Sequence, residues 1–451
     1  MQIKRDDQKR YLAIAIPMVL ATAAAPLPGI VDTAILGHLD SVIHLSAVAA
    51  GSTVIATVIW LFGFLRMGTT ATTSRAWGAD DSGRCSMLLA QSLALAAAIG
   101  LAIVVVRQPI LAFGFHLIAP PGETATLAMH YAEIRILAAP AALGTFCICG
   151  WLIGVQQARW ALLVMLTINL LNVVLDFVLI LGLGMNSIGA AWASCIAESV
   201  GLFVGLWVTA HLAPRFKRNW PWRRLRDWQM YREILTVNRH LLIRTMCLMF
   251  VFAFFTAQGA RQGQQVLAAN AILMQLFLLF AFALDGFAHA TEALTGAAIG
   301  ARNQTRFYGV CTISALWGGG VTSLISVLYL ICDSAIIALF TDIQPVAALA
   351  ASHFIWLAAM PLVSVWSFML DGVFLGAGKT RDMQNIMIIA VFAVFLPAWL
   401  AGRAWGNDGL WFAFLLFMAA RTVLMADNFV RTSKRGWLPA VQPSEQQAGV
   451  N

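Results

Sequence analysis

The chain has 451 residues, of which 60% are hydrophobic and only 11% are charged, and its mean hydropathy is +0.79. A soluble globular domain normally carries about 25% charged residues, so the composition excludes that class and indicates an integral membrane protein. The formal net charge is +8, but the basic residues lie in alternate loops, which predicts a membrane topology and no binding of nucleic acid.

Twelve hydrophobic runs are long enough to cross a bilayer core of about 30 Å, which takes roughly 20 helical residues. The predicted spans are 11–36, 45–70, 86–106, 129–154, 160–183, 188–212, 239–258, 266–297, 308–332, 352–376, 383–402 and 408–428. The first run is too long for a signal peptide and is predicted to be an uncleaved first helix. The fold class is therefore an all-α integral membrane protein.

Lysine and arginine cluster in the N-terminal segment, in the linker 211–238 and in the tail 431–451. Cytoplasmic loops carry the excess of basic residues, so these segments are predicted to be cytoplasmic. Both termini then lie in the cytoplasm, as an even number of spans requires. The tail 431–451 is predicted to be disordered.

The two halves of the chain match each other at an offset of 222 residues. The matching pairs include Gly37/Gly259, Thr69/Thr291, Thr73/Thr295, Ala76/Ala298, Gly78/Gly300, Gly154/Gly376 and Arg159/Arg381. Transporters are often built from such duplications. We expect two homologous six-helix lobes, 1–210 and 239–430, related by an axis along the membrane normal and enclosing a central cavity.

Two carboxylates stand in the apolar spans of the first lobe, Asp32 and Asp176. Each costs at least about 2.5 to 3.5 kcal/mol at the centre of a bilayer, so a polar cavity or a partner is expected. Asn172 and Asn169 lie one and about two helical turns before Asp176, and Ser194 lies on the next helix. Carboxylate, amide and hydroxyl oxygens suit a hard cation such as Na⁺. Two nearby carboxylates also raise each other's affinity for a proton.

The duplication places these carboxylates in the first lobe only, since Asp32 pairs with Phe254 and Asp176 with Ala398. A structural role shared by both lobes does not predict that asymmetry. Glu198, one turn after Ser194, either joins the same network or bonds to polar groups between helices.

Three prolines precede Asp32 in the first span, at positions 17, 26 and 28. Proline removes a backbone hydrogen bond, so this helix should be kinked or able to bend. Spacing alone favours Pro26 or Pro28 as the bending point. The alternative is a static helix in which Asp32 is close enough to the periplasmic end to be hydrated.

The second lobe has its own acidic residues. Asp285, His289 and Glu292 share one face of the eighth span, and Asp371 interrupts the tenth. They either attract a cationic substrate, hold a second proton, or form hydrogen bonds between helices.

No enzyme motif is complete. Gly376 to Thr380 resembles the end of a P-loop, but Val373 stands where the first glycine belongs. The sequence therefore does not support transport driven by ATP. The seven cysteines predict neither a disulfide framework nor a zinc site. No cofactor beyond a coupling ion is expected.

Four stretches resemble the multidrug and toxin extrusion (MATE) transporters, in their DinF-like, DNA-damage-inducible branch. They run from Ile16 to Ser41, Asn169 to Asn186, Ala283 to Arg302 and Leu370 to Ala377. The resemblance implies an antiporter of the bacterial cytoplasmic (inner) membrane that expels organic, often cationic, compounds by alternating access in exchange for H⁺ or Na⁺. The expected partners are small organic substrates and membrane lipids, and the expected state is a monomer.

Carried over position by position, the resemblance implies a cation-coupling site of Asp32, Asn172, Asp176 and Ser194, where Ser194 replaces a threonine. These residues would also be the ligands of Na⁺. The resemblance assigns helix bending to Pro17 and places Tyr131 near the site. The alternatives are a flippase for lipid or polysaccharide precursors in the same superfamily, which Arg66, Arg244 and Arg421 keep open, and a passive channel.

Overall fold

The computed structural model describes residues 5–38, 42–119, 121–212 and 228–437, and these residues are almost entirely helical. Within them, twelve helical segments are long and apolar enough to cross a membrane, as predicted. In chain order, spans 1 to 12 are Arg5–Gly37, Ile43–Gly78, Ser82–Val105, Gly122–Gly154, Ala158–Gly182, Asn186–Leu212, Tyr231–Arg261, Gln264–Gly300, Gln304–Ile331, Gln344–Gly376, Thr380–Trp405 and Asn407–Arg435. Two short helices lie between spans, Arg107–Ile118 and Asp333–Ala338.

Several spans are interrupted. Span 1 consists of the helices Arg5–Ala23 and Leu27–Gly37, span 2 of Val42–Leu61 and Phe64–Gly78, and span 4 of Gly122–Arg135 and Ala139–Gly154. Spans 5 and 11 contain π-helical segments, Phe177–Gly182 and Ala390–Phe395. Such irregular turns interrupt the regular i to i+4 hydrogen bonding and often mark functional sites.

The sequence-based boundaries differ from the structure at both predicted polar segments. The helix that carries span 7 begins at Trp228, within the predicted linker 211–238, and residues 213–227 lie outside the described residues. Ile234 and Val237 are buried on this added part of the helix. Hydropathy detects the part of a helix that crosses lipid and misses an amphipathic extension.

The tail 431–451 was predicted to be disordered, and this is wrong for its first residues. Span 12 continues to Arg435, and Trp437 is 5% exposed. Its ring lies 5.0 Å from that of Phe307, 5.5 Å from that of Phe374 and 5.2 Å from that of Phe429, measured between centroids. Residues 438–451 lie outside the described residues.

The contacts within the bundle repeat with the offset seen in the sequence. A Cβ atom at Gly150 would meet the backbone carbonyl of Arg66, and a Cβ atom at Gly372 would meet that of Ala288. Both residues of the second pair stand 222 positions after those of the first. The same glycine-mediated helix contact is thus built twice, once in each half.

Span 1 packs against span 8 of the other half. The Tyr11 hydroxyl donates to the carbonyl oxygen of Phe287 (3.1 Å), and the Thr22 hydroxyl lies 2.7 Å from the carbonyl oxygen of Phe282. Gly286 allows this approach, because a Cβ atom there would meet the backbone of Val19. The first helix of span 1 therefore connects the two halves.

Candidate cation-coupling site

Asp32 and Asp176 meet inside the first half of the bundle. Asp32 lies on the second helix of span 1 and is 6% exposed, and Asp176 is completely buried on span 5. Their carboxyl groups are close enough to hydrogen-bond to each other when one carries a proton. Oδ1 of each has no hydrogen-bond partner among the residues that the structure describes. Two ionised carboxylates in this position repel each other, so the pair favours a proton or another cation.

Asn172 connects this pair to the neighbouring span. With its amide oriented to satisfy both ends, Nδ2 donates to Oδ2 of Asp176 (3.1 Å), and Oδ1 accepts from the backbone nitrogen (3.2 Å) and Oγ (2.9 Å) of Ser194. The structure thus brings together Asp32, Asn172, Asp176 and Ser194, which the resemblance implied as a set. Hydrogen bonds of this kind fix the orientation of the Asp176 carboxylate.

The backbone changes form immediately after Asp176. The α-helix of span 5 ends at this residue, and the π-helical segment begins at Phe177. A Cβ atom at Gly189 of span 6 would meet the carbonyl carbon of Leu179 at 3.0 Å. This glycine allows close packing against the π-helical segment, which holds the end of span 5 against span 6.

Arg135 of span 4 is a site residue that sequence reasoning missed. Its Nη2 donates to Oε1 of Glu198 (2.9 Å), and its charge acts on Asp32. Tyr131, one turn earlier and 2% exposed, also interacts with Arg135. Glu198 therefore belongs to the network through Arg135. The sequence could have indicated Arg135, because it is a charged residue inside the predicted span 129–154, where a charge is costly.

This site has more acidic than basic side chains. When ionised, Asp32, Asp176 and Glu198 carry three negative charges, and Arg135 carries one positive charge. Two uncompensated negative charges in a site where Asp32 and Asp176 are buried and Glu198 is half-buried are unfavourable. Binding one proton or cation removes half of this excess.

Asn169 does not join the carboxylates but contacts span 1 at the break beside Pro26. Nδ2 of Asn169 donates to the backbone carbonyl of Ala24 (2.8 Å), so this amide binds the backbone of span 1. The helix is continuous through Pro17 and is interrupted at residues 24–26, next to Pro26. In this structure the break therefore lies where spacing alone placed it, and not at Pro17.

The predicted acidic set of the second half is balanced by arginines. Oδ2 of Asp371 accepts from Nη2 of Arg244 (2.5 Å) and Nη2 of Arg421 (2.8 Å), and all three side chains are buried. The charges of Arg66, Arg244 and Arg421 act on Asp285. Asp371 thus lies in an ion-pair cluster and does not face a cavity as a free acid.

His289 and Glu292 lie beside this cluster on span 8. Nδ1 of His289 is 3.6 Å from Oε2 of Glu292, and Arg66 is a charged neighbour of both residues. Together, three acids (Asp285, Glu292 and Asp371) face three arginines (Arg66, Arg244 and Arg421). The second half therefore has no excess of negative charge in this cluster, in contrast to the first.

A duplicated bundle of twelve spans with buried carboxylates at its centre is the architecture of a membrane transporter. A family model described as MatE matches residues 17–178 and again 241–400. The chain belongs to the MatE family, a family of multi-pass membrane transporters.

Two relatives and one solved structure show how far the similarity extends. DNA damage-inducible protein F of Escherichia coli (strain K12) is 38% identical over 452 residues, which cover 98% of this chain and 96% of that protein. Protein DETOXIFICATION 44, chloroplastic, of Arabidopsis thaliana is 27% identical and covers 91% of this chain and 80% of its own length. A structure described as the outward-facing conformation of a multidrug resistance MATE family transporter of the MOP superfamily is 20% identical. The superposition has a TM-score of 0.85 and covers 95% of this chain and 96% of the solved chain, so the two proteins share the fold.

Proposed function

We propose that the protein is a cation-coupled antiporter that exports organic, often cationic, compounds across the bacterial cytoplasmic membrane. In this proposal it works as a monomer by alternating access, with both termini in the cytoplasm and the lobes 1–210 and 239–430 moving against each other. The observation that carries it is the placement of two buried carboxyl groups, those of Asp32 and Asp176, beside each other in the first half of the bundle. Membership of a transporter family supports the export of small molecules.

The coupling step follows from charge. A cation drives transport only by binding one conformation better than the other. The first-half site changes by one unit of charge when it binds a proton, and Asp32 lies on the short helix Leu27–Gly37 that follows the break in span 1. Neutralising the pair therefore changes the interaction that holds the second helix of span 1 against span 5.

We favour a proton as the coupling ion, because two adjacent buried carboxylates raise each other's proton affinity. A hydrogen bond between two carboxyl groups requires a proton on one of them. Na⁺ is the second candidate, and Asp32, Asn172, Asp176 and Ser194 would hold it through carboxylate, amide and hydroxyl oxygens.

Two further elements belong to the proposal. Pro17 remains a candidate bending point for other conformations of span 1. His289 and Glu292 are candidates for a second proton site, because Nε2 of His289 and Oε1 of Glu292 are buried and have no hydrogen-bond partner among the described residues. The flippase alternative is less favoured, since the arginines that supported it are matched by acids.

The test is ethidium efflux from proteoliposomes under an imposed proton gradient and, separately, a sodium gradient. Asp32→Asn and Asp176→Asn should abolish gradient-driven efflux, whereas the exposed Asp342→Asn should not. Full coupled efflux by Asp32→Asn would refute the proposed coupling site. An ethidium flux that is independent of both gradients would indicate a channel. Lipid translocation without ethidium efflux would indicate a flippase.

A further inference from the structure

The break in span 1 follows directly from two prolines. In a continuous helix the carbonyl of Ala24 would accept from the backbone nitrogen of residue 28, which is Pro28 and has no N–H. The carbonyl instead accepts from the Leu27 nitrogen (3.1 Å) in a tight turn, and the helix resumes with Ile30 N donating to Pro26 O (3.1 Å). The carbonyl of Ala24 is therefore released from regular helical bonding, while the Ala24 nitrogen still donates to the Leu20 carbonyl (3.0 Å).

Asn169 of span 5 binds this released carbonyl at 2.8 Å. It lies on the helix face that carries Asn172, one turn further on, and Asp176, a turn beyond that. One face of span 5 thus holds both the break in span 1, through Asn169, and the carboxyl group of Asp32, through Asp176.

The end of the first helix, just before the break, is held by the second half of the bundle. The Thr22 hydroxyl is 2.7 Å from the carbonyl oxygen of Phe282 on span 8, and it also lies 2.8 Å from the carbonyl oxygen of Met18 within its own helix. Thr22, at the end of the first helix, thus contacts the second half of the bundle, and Ala24, where the break begins, contacts span 5 of the first half. A movement between the halves must act on this short segment.

We propose that Asn169 is a positioning residue for coupling, which fixes the break of span 1 by donating to the Ala24 carbonyl and is not itself a ligand of the coupling cation. This inference rests on the proposed antiport function. Without the amide, Asp32 still reaches Asp176, but the break is free to adopt other geometries. Substrate binding should then be retained while cation-driven turnover falls.

The test compares three variants of Asn169 in proteoliposomes. Asn169→Ala removes the donor, Asn169→Asp keeps the shape but places a carboxylate against a carbonyl, and Asn169→Gln keeps an amide donor. Thr167→Val is the matched control, because among the described residues the Thr167 hydroxyl bonds to the Leu163 carbonyl of its own helix (2.8 Å) and to no other group. Each variant is measured for ethidium affinity at equilibrium, for gradient-driven efflux rate, and for amide hydrogen exchange over residues 24–30.

Asn169→Ala and Asn169→Asp should slow gradient-driven efflux by about 3- to 10-fold, the range that corresponds to one lost hydrogen bond. Hydrogen exchange over residues 24–30 should rise, ethidium affinity should stay within about twofold, and Asn169→Gln should recover much of the rate. The inference is overturned if Asn169→Asp folds and transports like Thr167→Val. It is also overturned if Asn169→Gln fails as badly as Asn169→Ala, or if ethidium affinity falls as much as the rate. Failure of the antiport proposal is seen separately, as full coupled efflux by Asp32→Asn.

Discussion

Gly78 and Gly300 occupy reciprocal positions where the two halves of the bundle meet. A Cβ atom at Gly78 would meet the backbone of Ala297, and one at Gly300 would meet the backbone of Arg75. Each residue of one contact stands 222 positions from its counterpart in the other. The ends of spans 2 and 8 therefore pack around a local two-fold axis, and this end of the bundle is closed.

Enlarging Gly300 should prevent this closure. A valine at this position meets backbone atoms that cannot move aside, and overpacking of this kind costs about 1 to 3 kcal/mol. We expect Gly300→Val to lower the rate of gradient-driven ethidium efflux by about tenfold or more. The control is Gly320→Val on span 9, where an added Cβ has no atom within 4 Å. Equal rates for the two variants would contradict a closed contact in the transport cycle.

The duplication could be predicted from the sequence because its glycines are required by close contacts that exist twice. The twelve spans could be predicted because lipid demands continuous apolar helices. The partners of the charged residues could not be predicted from the sequence. Hydropathy reports which residues cross the bilayer and does not report which helix faces meet, so Arg135 was missed and the role of Asp371 was left open between three alternatives. The site pair Asp32 and Asp176 was predicted because each carboxylate is costly on its own.

Asp371 should be a stability residue of the second half. Asp371→Asn leaves Arg244 and Arg421 buried without their shared carboxylate, and breaking a buried ion pair costs about 3 to 5 kcal/mol. Thermal unfolding in detergent should show a large loss of stability. Asp427→Asn is the control, because the pair with Arg431 is largely exposed and contributes about 0 to 1 kcal/mol. Equal melting temperatures for the two variants would argue against a buried cluster.

Glu233 should contribute to closure through ion pairs between the halves. Its carboxylate lies 2.5 Å from Nη2 of Arg84 on span 3 and 3.4 Å from Nη2 of Arg75 on span 2. Glu233→Lys should slow ethidium efflux a few-fold, and the exchange Arg84→Glu with Glu233→Lys should restore part of the rate. These groups are partly exposed, so the effect should weaken with added salt. The exposed Glu123→Lys serves as the control, and no recovery in the double variant would count against the pairing.

Trp437 should anchor the end of span 12. The indole packs on three aromatic rings and is almost fully buried, and removing such a side chain costs about 3 kcal/mol or more. Trp437→Ala should lower the unfolding temperature in detergent, and Trp437→Phe should lower it less. The exposed Trp405→Ala is the control. A chain cut after residue 437 should keep the stability of the full chain, and a large loss on that truncation would show that residues 438–451 are needed.

Arg135 and Glu198 should act in opposite directions on the coupling cation. Arg135 is the positive neighbour of Asp32 and is held by Glu198 at 2.9 Å. Arg135→Met removes a cation that competes for the carboxylates, so the apparent affinity for the driving cation should rise. Glu198→Gln releases Arg135 toward Asp32, so this affinity should fall. Both shifts should be about tenfold or more, because at an effective dielectric constant of about 20 a unit charge within about 12 Å contributes about 1.4 kcal/mol or more.

The double variant Arg135→Met with Glu198→Gln distinguishes this charge effect from a loss of packing. If Glu198 acts only through Arg135, the double variant should resemble Arg135→Met alone, because no arginine is left to release. The measurement is the cation concentration that gives half-maximal ethidium efflux, read for each variant at saturating ethidium. Shifts in the same direction for both single variants would instead show that the ion pair only supports the fold around Asp32.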